Sequence, residues 1–324
     1  MASGWFPQVG ARAVEAVTAV LPAKLVVWMA EGAGALWWWL SPGRRKIVHQ
    51  NLEIAFGDAM DRKARARTGR RSCQGLVRIF AEVAVMHRLL GPRDQETPKL
   101  GYHGDIGPAE ADHAIGGGLL VTAHLGNWEI AAEAARRRGV ELKSVAREVQ
   151  DSSLFEAWLT RRRGGADSVI HKTGGTKAVI RTLKEGGVVA VVADQNAGRH
   201  GIFVPFFGLA ASTFPTPAAM ALRLDVPIYF AYCLRRPGFE GFDVTIEQVA
   251  RPDPALSRTE AIRAMTEDLT QRVEKAIIRA PEQYAWVHRR WKTRPPGADR
   301  SEPGQPFYAR LWPANHPRTG LHDR

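Results

Sequence analysis

The chain has 324 residues and a formal net charge of +12, from 45 Lys and Arg against 33 Asp and Glu. That length can bury one large core, and the charge points to anionic partners: nucleic acid, anionic lipid or an acidic carrier protein. The two cysteines, Cys73 and Cys233, stand far apart and outside any CxxC pair, which excludes a zinc signature and a disulfide framework and makes a reducing cytoplasmic setting the default.

In chain order, residues 12–40 come first. They are apolar but interrupted by Glu15, Pro22, Lys24 and Glu31, short of the ~20 mostly apolar residues of a clean span. Trp37, Trp38 and Trp39 suit a membrane interface, so the segment reads as an interfacial or shallowly inserted helical hairpin; an ordinary buried helix pair is the plain alternative. No small-residue cleavage site of a signal peptide follows. Next come Arg44, Arg45 and Lys46, then Arg62 to Arg71, a basic stretch that would attract anionic head groups or simply form a solvated helix face. Leu76 to Leu89 carries helical spacing and reads as core.

From Leu119 onward strands and helices alternate. Strands are predicted at 119–122, 141–146, 168–171, 188–193 and 227–233, and an alternating, antiparallel edge strand at 243–249. Helices are predicted from Asn127 to Arg138, Asp151 to Arg161, Thr176 to Lys184, Pro215 to Leu224 and Arg258 to Ile278, with a last short strand at 284–287. This is an α/β plan, a mostly parallel central sheet flanked by helices. The organisation is an N-terminal membrane-associated helical segment (1–43), an α/β domain (44–294) and a weakly ordered Pro/Gly-rich tail (295–324).

The stretch Leu119–Glu129 concentrates the chemistry. An apolar strand ends on His124, Gly126 permits a turn, and Asn127 caps the following helix. His124 and Glu129 are five residues apart, so they meet only if the histidine sits in the turn and the glutamate in the first helical turn. The carboxylate would then orient one ring nitrogen and leave the other as a base; alternatively Glu129 only complements the helix dipole. In open α/β sheets ligands gather beyond the strands' carboxyl ends, where His124, Arg147, His171 and Asp194 lie. Gly174-Gly175-Thr176-Lys177 opens a helix and could cradle an anion, but without Walker spacing. Gly116-Gly117-Gly118 precedes its strand, which is wrong for a dinucleotide fingerprint. No nucleic-acid motif is present.

HLGNWE (124–129) resembles the H-x4-D/E motif of the glycerolipid acyltransferases. The chain is similar more narrowly to the bacterial lipid A late acyltransferases, the lauroyl and myristoyl transferases. The likeness extends through RRKIVHQNLEIAF (44–56), Val145-Ala146-Arg147, ADQN (193–196), FVPFFG (203–208) and PEQYAWVHRRWKTRP (281–295). It departs at Ala123, where some members have asparagine, and at Val145–Glu148, which lacks a Tyr-Arg-Pro. The resemblance implies acyl transfer from an acyl-carrier-protein thioester to a hydroxyl of a lipid A precursor at the cytoplasmic face of the inner membrane. It implies no cofactor, metal or nucleic acid. His124 is the expected general base, Glu129 its orienting partner and Asp194 their support. Arg147, Asn127, Gln195 and Lys177 are the expected substrate contacts. Acylation of a lysophospholipid or a glycosylated phosphoinositide, and a non-catalytic basic binding protein, are the alternatives.

Overall fold

The computed structural model describes residues 18–105, 116–146, 169–171 and 174–297. The predicted helix at 151–161, Arg147 and the tail beyond 297 lie outside these residues. The first described elements form a helical layer: α1 (Ala23–Leu40), α2 (Pro42–Phe56), α3 (Arg62–Ala84) and the short α4 (Met86–Leu90). Asp61 caps α3 by accepting the Ala64 N–H. Helix α1 lies along α3 at close range, because Gly34 has no side chain: a Cβ there would fall 2.5 Å from Gln74 Cα. Val26 and Val27 of α1 pack with Ile79, Val83 and Val85.

The other face of α1 points outward and is apolar. Leu25, Trp28, Met29, Leu36, Trp39 and Leu40 are all exposed, spaced about one helical turn apart along one side. Among the described residues no helix is long and apolar enough to cross a membrane.

The centre is a seven-stranded sheet. Its strands are β1 (Leu100–Gly104), β2 (Gly118–Thr122), β3 (Leu142–Ala146), β4 (Val169–His171), β5 (Val188–Val192), β8 (Ile228–Arg235) and β9 (Phe242–Gln248). They run in the order β1-β9-β8-β2-β5-β3-β4. Five run parallel; β9 pairs antiparallel with β8, and β1 follows β9. The residues of β2 are all buried, as expected for a strand covered on both faces. Helices α5 (Trp128–Arg137), α6 (Thr176–Lys184), α7 (Thr216–Leu224) and α8 (Arg258–Arg279) flank the sheet. Helix α5 ends as its sequence predicts, with Arg136 and Arg137 in the last turn and Gly139 at φ 77° just beyond. Ser257 and Glu260 form a reciprocal capping box at the start of α8.

Two expectations are corrected. The strand at 243–249 is not an edge, because β1 pairs beyond it. Residues 284–287 do not form a strand; a 3-10 turn at Pro281–Gln283 leads into a single bridge between Tyr284 and Leu125. An antiparallel hairpin, β6 (Ile202–Phe206) with β7 (Leu209–Thr213), stands where no element was predicted.

Candidate active site

Strands β2 and β5 are neighbours, and Thr122 pairs with Val192. The two chains leave the sheet in step, Ala193 N–H bonding to Thr122 O at 3.1 Å. Two residues further on each chain are His124 and Asp194, 70 apart in sequence and side by side in space. The Asp194 carboxylate accepts the His124 ring Nδ1–H at 2.7 Å and the His124 backbone N–H at 3.0 Å. One carboxylate thus fixes both the ring and the backbone that carries it. It stands where Glu129 was expected: register in a parallel sheet delivers Asp194 to Nδ1 without requiring the turn to fold back on itself.

With Nδ1 protonated, Nε2 keeps its lone pair. The Gln195 amide lies 3.3 Å from His124 Nε2 and 3.1 Å from His288 Nε2. An amide has two protons to give, so it can serve both rings when both are neutral Nδ1–H tautomers, an assignment made from the network. The His124 ring meets Trp128 edge-on at 4.9 Å and His288 at 5.0 Å between centroids. Its side chain remains 18% exposed, enough to be reached by a reactant.

Electrostatics follow from this packing. Burial disfavours imidazolium at His124, but the Asp194 charge and hydrogen bond outweigh it and the net pKa is raised. Burial acts against the Asp194 anion too, yet His124 and its two hydrogen bonds hold that carboxyl down at about 2. His288 is lowered, by burial first and by the neighbouring His124 next, so it favours the neutral form.

The turn between His124 and Glu129 is held by backbone. Gly126 has φ 60°, and a Cβ there would collide with Cys233 O. The Gly126 N–H donates to Gln283 O, the Asn127 N–H to Cys233 O, and the Ala285 N–H to His124 O. Asn127 is fully buried: its Oδ1 accepts the Glu129 and Ile130 N–H groups, and its Nδ2 donates to Glu82. The substrate contact expected of Asn127 is therefore a capping role, since its amide is engaged within the protein. Glu129 is buried in the first turn of α5. Lys177 is exposed at the start of α6, and Arg147 follows the end of β3 outside the described residues.

Beside Asp194 a small apolar cavity lies between the sheet and α8, with about 30 Å³ of space, on the order of one water molecule. Thr122, Asp194, Phe206, Phe214, Leu269 and Arg290 are among its walls. Arg290 is buried, donates to Ser212 O and Thr213 Oγ1, and lies 5.0 Å over the Phe206 ring, so its charge is turned onto the hairpin. The Thr122 hydroxyl on this wall has no hydrogen-bond partner among the described residues.

Sequence reasoning did not single out His288, whose signal was its place in the PEQYAWVHRRWKTRP segment. Gln195 was flagged by its neighbour Asp194, and its link between two histidines was not legible.

Comparison with known proteins shows the family. Residues 5–293 match the family described as bacterial lipid A biosynthesis acyltransferase. The chain is 28% identical to a lipid A biosynthesis lauroyltransferase of Escherichia coli over 294 residues, 86% of this chain and 88% of that one. It is 29% identical over 149 residues to the lipid A biosynthesis palmitoleoyltransferase of the same organism, covering 45% and 47% of the two chains. A phosphatidylinositol mannoside acyltransferase of Mycobacterium tuberculosis is 25% identical over 180 residues, 54% of each chain. Since the family match runs through the sheet, the His124 turn and the PEQYAWVHRRWK segment alike, this chain belongs to the bacterial lipid A biosynthesis acyltransferase family.

Proposed function

We propose that this O-acyltransferase moves a fatty acyl chain from an acyl-carrier-protein thioester to a hydroxyl of a lipid A precursor, with His124 as general base and Asp194 as its orienting partner. The observation that carries the reading is the His124–Asp194 pair beside an apolar cavity. A hydroxyl is a poor nucleophile at neutral pH, and the lone pair on His124 Nε2 takes its proton as the oxygen attacks the thioester carbonyl. Gln195 yields that nitrogen when the hydroxyl arrives. Asp194 stabilises the imidazolium that forms, the part an orienting carboxylate plays in other base-catalysed acyl transfers. The tetrahedral intermediate collapses with cleavage of the C–S bond, and imidazolium returns the proton to the departing sulfur. The products are an ester and a free carrier thiol. Glu129, buried in the first turn of α5, is kept as a supporting residue. The small cavity must widen to take an acyl tail, whose burial is worth ~0.8 kcal/mol per CH₂.

The net charge of +12 supports an acidic carrier as donor and a phosphorylated lipid as acceptor, with Arg147 and Lys177 as candidate anion contacts. The exposed apolar face of α1, followed by Arg44, Arg45 and Lys46, supports a seat on the cytoplasmic face of the inner membrane. A second reading, a glycosylated phosphoinositide as acceptor, is favoured by the likeness to the mannoside acyltransferase. The deciding experiment presents purified enzyme with acyl-carrier-protein and coenzyme A thioesters, each paired with both acceptors, and identifies products by mass spectrometry. Ester on the lipid A precursor with the carrier donor is the expected result; transfer only to the phosphoinositide would overturn it.

A further inference from the structure

Beneath the His124 turn lies a carboxylate that the chemistry just described does not use. Glu82, on α3, is fully buried. Its oxygens accept from Arg78 Nε at 2.6 Å, from Arg235 Nε at 2.8 and 2.9 Å and from Asn127 Nδ2 at 2.8 Å. Such a group is costly to bury and is retained only when its lone pairs are satisfied. Here two cations from different parts of the chain and one amide satisfy them. Arg78 in turn reaches Glu31 of α1 at 2.6 Å. On the other side, the amide that Glu82 holds is the cap of α5, whose Oδ1 receives the N–H groups of Glu129 and Ile130 at 3.1 Å each. Without Glu82 the Asn127 amide loses the bond that fixes its Nδ2, and the turn from His124 to Glu129 keeps only the two Oδ1 bonds of the cap and its backbone bonds.

We propose that Glu82 is a positioning residue for acyl transfer, acting through Asn127 to fix the turn that carries His124. The inference rests on His124 being the base. It predicts that the hydrogen bond matters more than which partner bears the charge. Glu82→Gln removes the anion, and Asn127→Asp sets two carboxylates face to face. Combining the two restores one donor and one anion. The carboxylate introduced at position 127 can still cap α5 with one oxygen, while the amide introduced at position 82 donates to the other.

The test measures kcat and KM of the full chain with acyl-carrier-protein thioester and lipid acceptor, for the two single variants, the double variant and His124→Ala. Misplacing a base by about 1 Å can cost ~10²-fold, so each single variant should lose ~10–100-fold in kcat with KM within about threefold. The acidic limb of the pH profile should also move down as His124 loses contact with Asp194. The double variant should recover most of the rate. A double variant no faster than Asn127→Asp, or a folded Glu82→Gln enzyme with wild-type kcat and pH profile, overturns the proposal. If Asn127→Asp does not fold, Glu82→Gln alone decides. An active His124→Ala would instead overturn the reading of the base itself.

Discussion

An imidazole that activates a hydroxyl near neutral pH must arrive unprotonated and still bind a proton firmly in the transition state. For His124, the base proposed above, the raised pKa meets the second need at the expense of the first. Activity should therefore fall as pH drops through a value above the ordinary 6.5, read as an acidic limb in kcat/KM against pH. His124→Ala should lower turnover ~10²–10⁴-fold while the chain stays folded. Asp194→Asn should cost at least ~10²-fold. It should also carry the limb to lower pH, because burial then acts unopposed on His124. Glu129→Gln should damage the rate less than Asp194→Asn; the reverse order in a side-by-side assay would return the orienting role to Glu129. A second residue offers a stability test. Glu274 on α8 accepts the Phe207 N–H at 2.8 Å, yet burial lifts its carboxyl to about 7. The folded state holds that proton more tightly than the unfolded chain, so stability is greatest below about 4.5 and declines as pH rises through 7. Glu274→Gln keeps the acceptor and removes the charge. It should raise Tm at pH 8, by on the order of 1–3 kcal/mol of stability, and change little at pH 4.5.

At the scale of elements, α5 was legible because its cap, glycine stop and periodicity agree, and α6 because its periodicity and glycine stop do. The hairpin was not, since Pro205 and three phenylalanines read as a motif and gave no alternation. Strand β1 escaped because Leu-Gly-Tyr-His-Gly has two glycines and no apolar face of its own. The partner of His124 was hidden for another reason: sequence gives neighbours along the chain, whereas β2 and β5 become neighbours only through sheet order. Asn127 as a cap could be read locally; Glu82 beneath it, 45 residues away, could not. Two element-level outcomes follow. Gly126→Ala should abolish activity and destabilise the fold by more than the ~1–3 kcal/mol of a strained φ alone, because its Cβ would meet Cys233 O; circular dichroism and melting would register it. Trp28→Glu with Trp39→Glu should cut binding to anionic vesicles in co-sedimentation while leaving Tm unchanged, since both indoles lie on the outer face of α1. Undiminished binding would remove that face from the membrane account. Deleting α1 is a poorer experiment, because its inner face is packed on α3.

At the scale of the whole molecule, a net charge of +12 accompanies a helical layer that turns apolar surface outward. Steering of an acidic carrier by that charge weakens as salt shortens its reach to ~8 Å at physiological ionic strength and ~3 Å at 1 M. KM for the carrier donor should therefore rise with salt while kcat holds, as steady-state kinetics across a salt series would show. The two cysteines have a practical bearing on every such measurement. Both are buried; burial lifts Cys73 to about 11 and raises Cys233 further. A thiol reacts as its thiolate, so in the folded enzyme neither sulfur competes for a colorimetric disulfide reagent near neutral pH. With the thioester donor proposed above, each turnover would release one carrier thiol, and absorbance would count turnovers continuously against a silent protein background. The same reagent added with denaturant would titrate two sulfurs per chain and report the fraction of enzyme that had been folded.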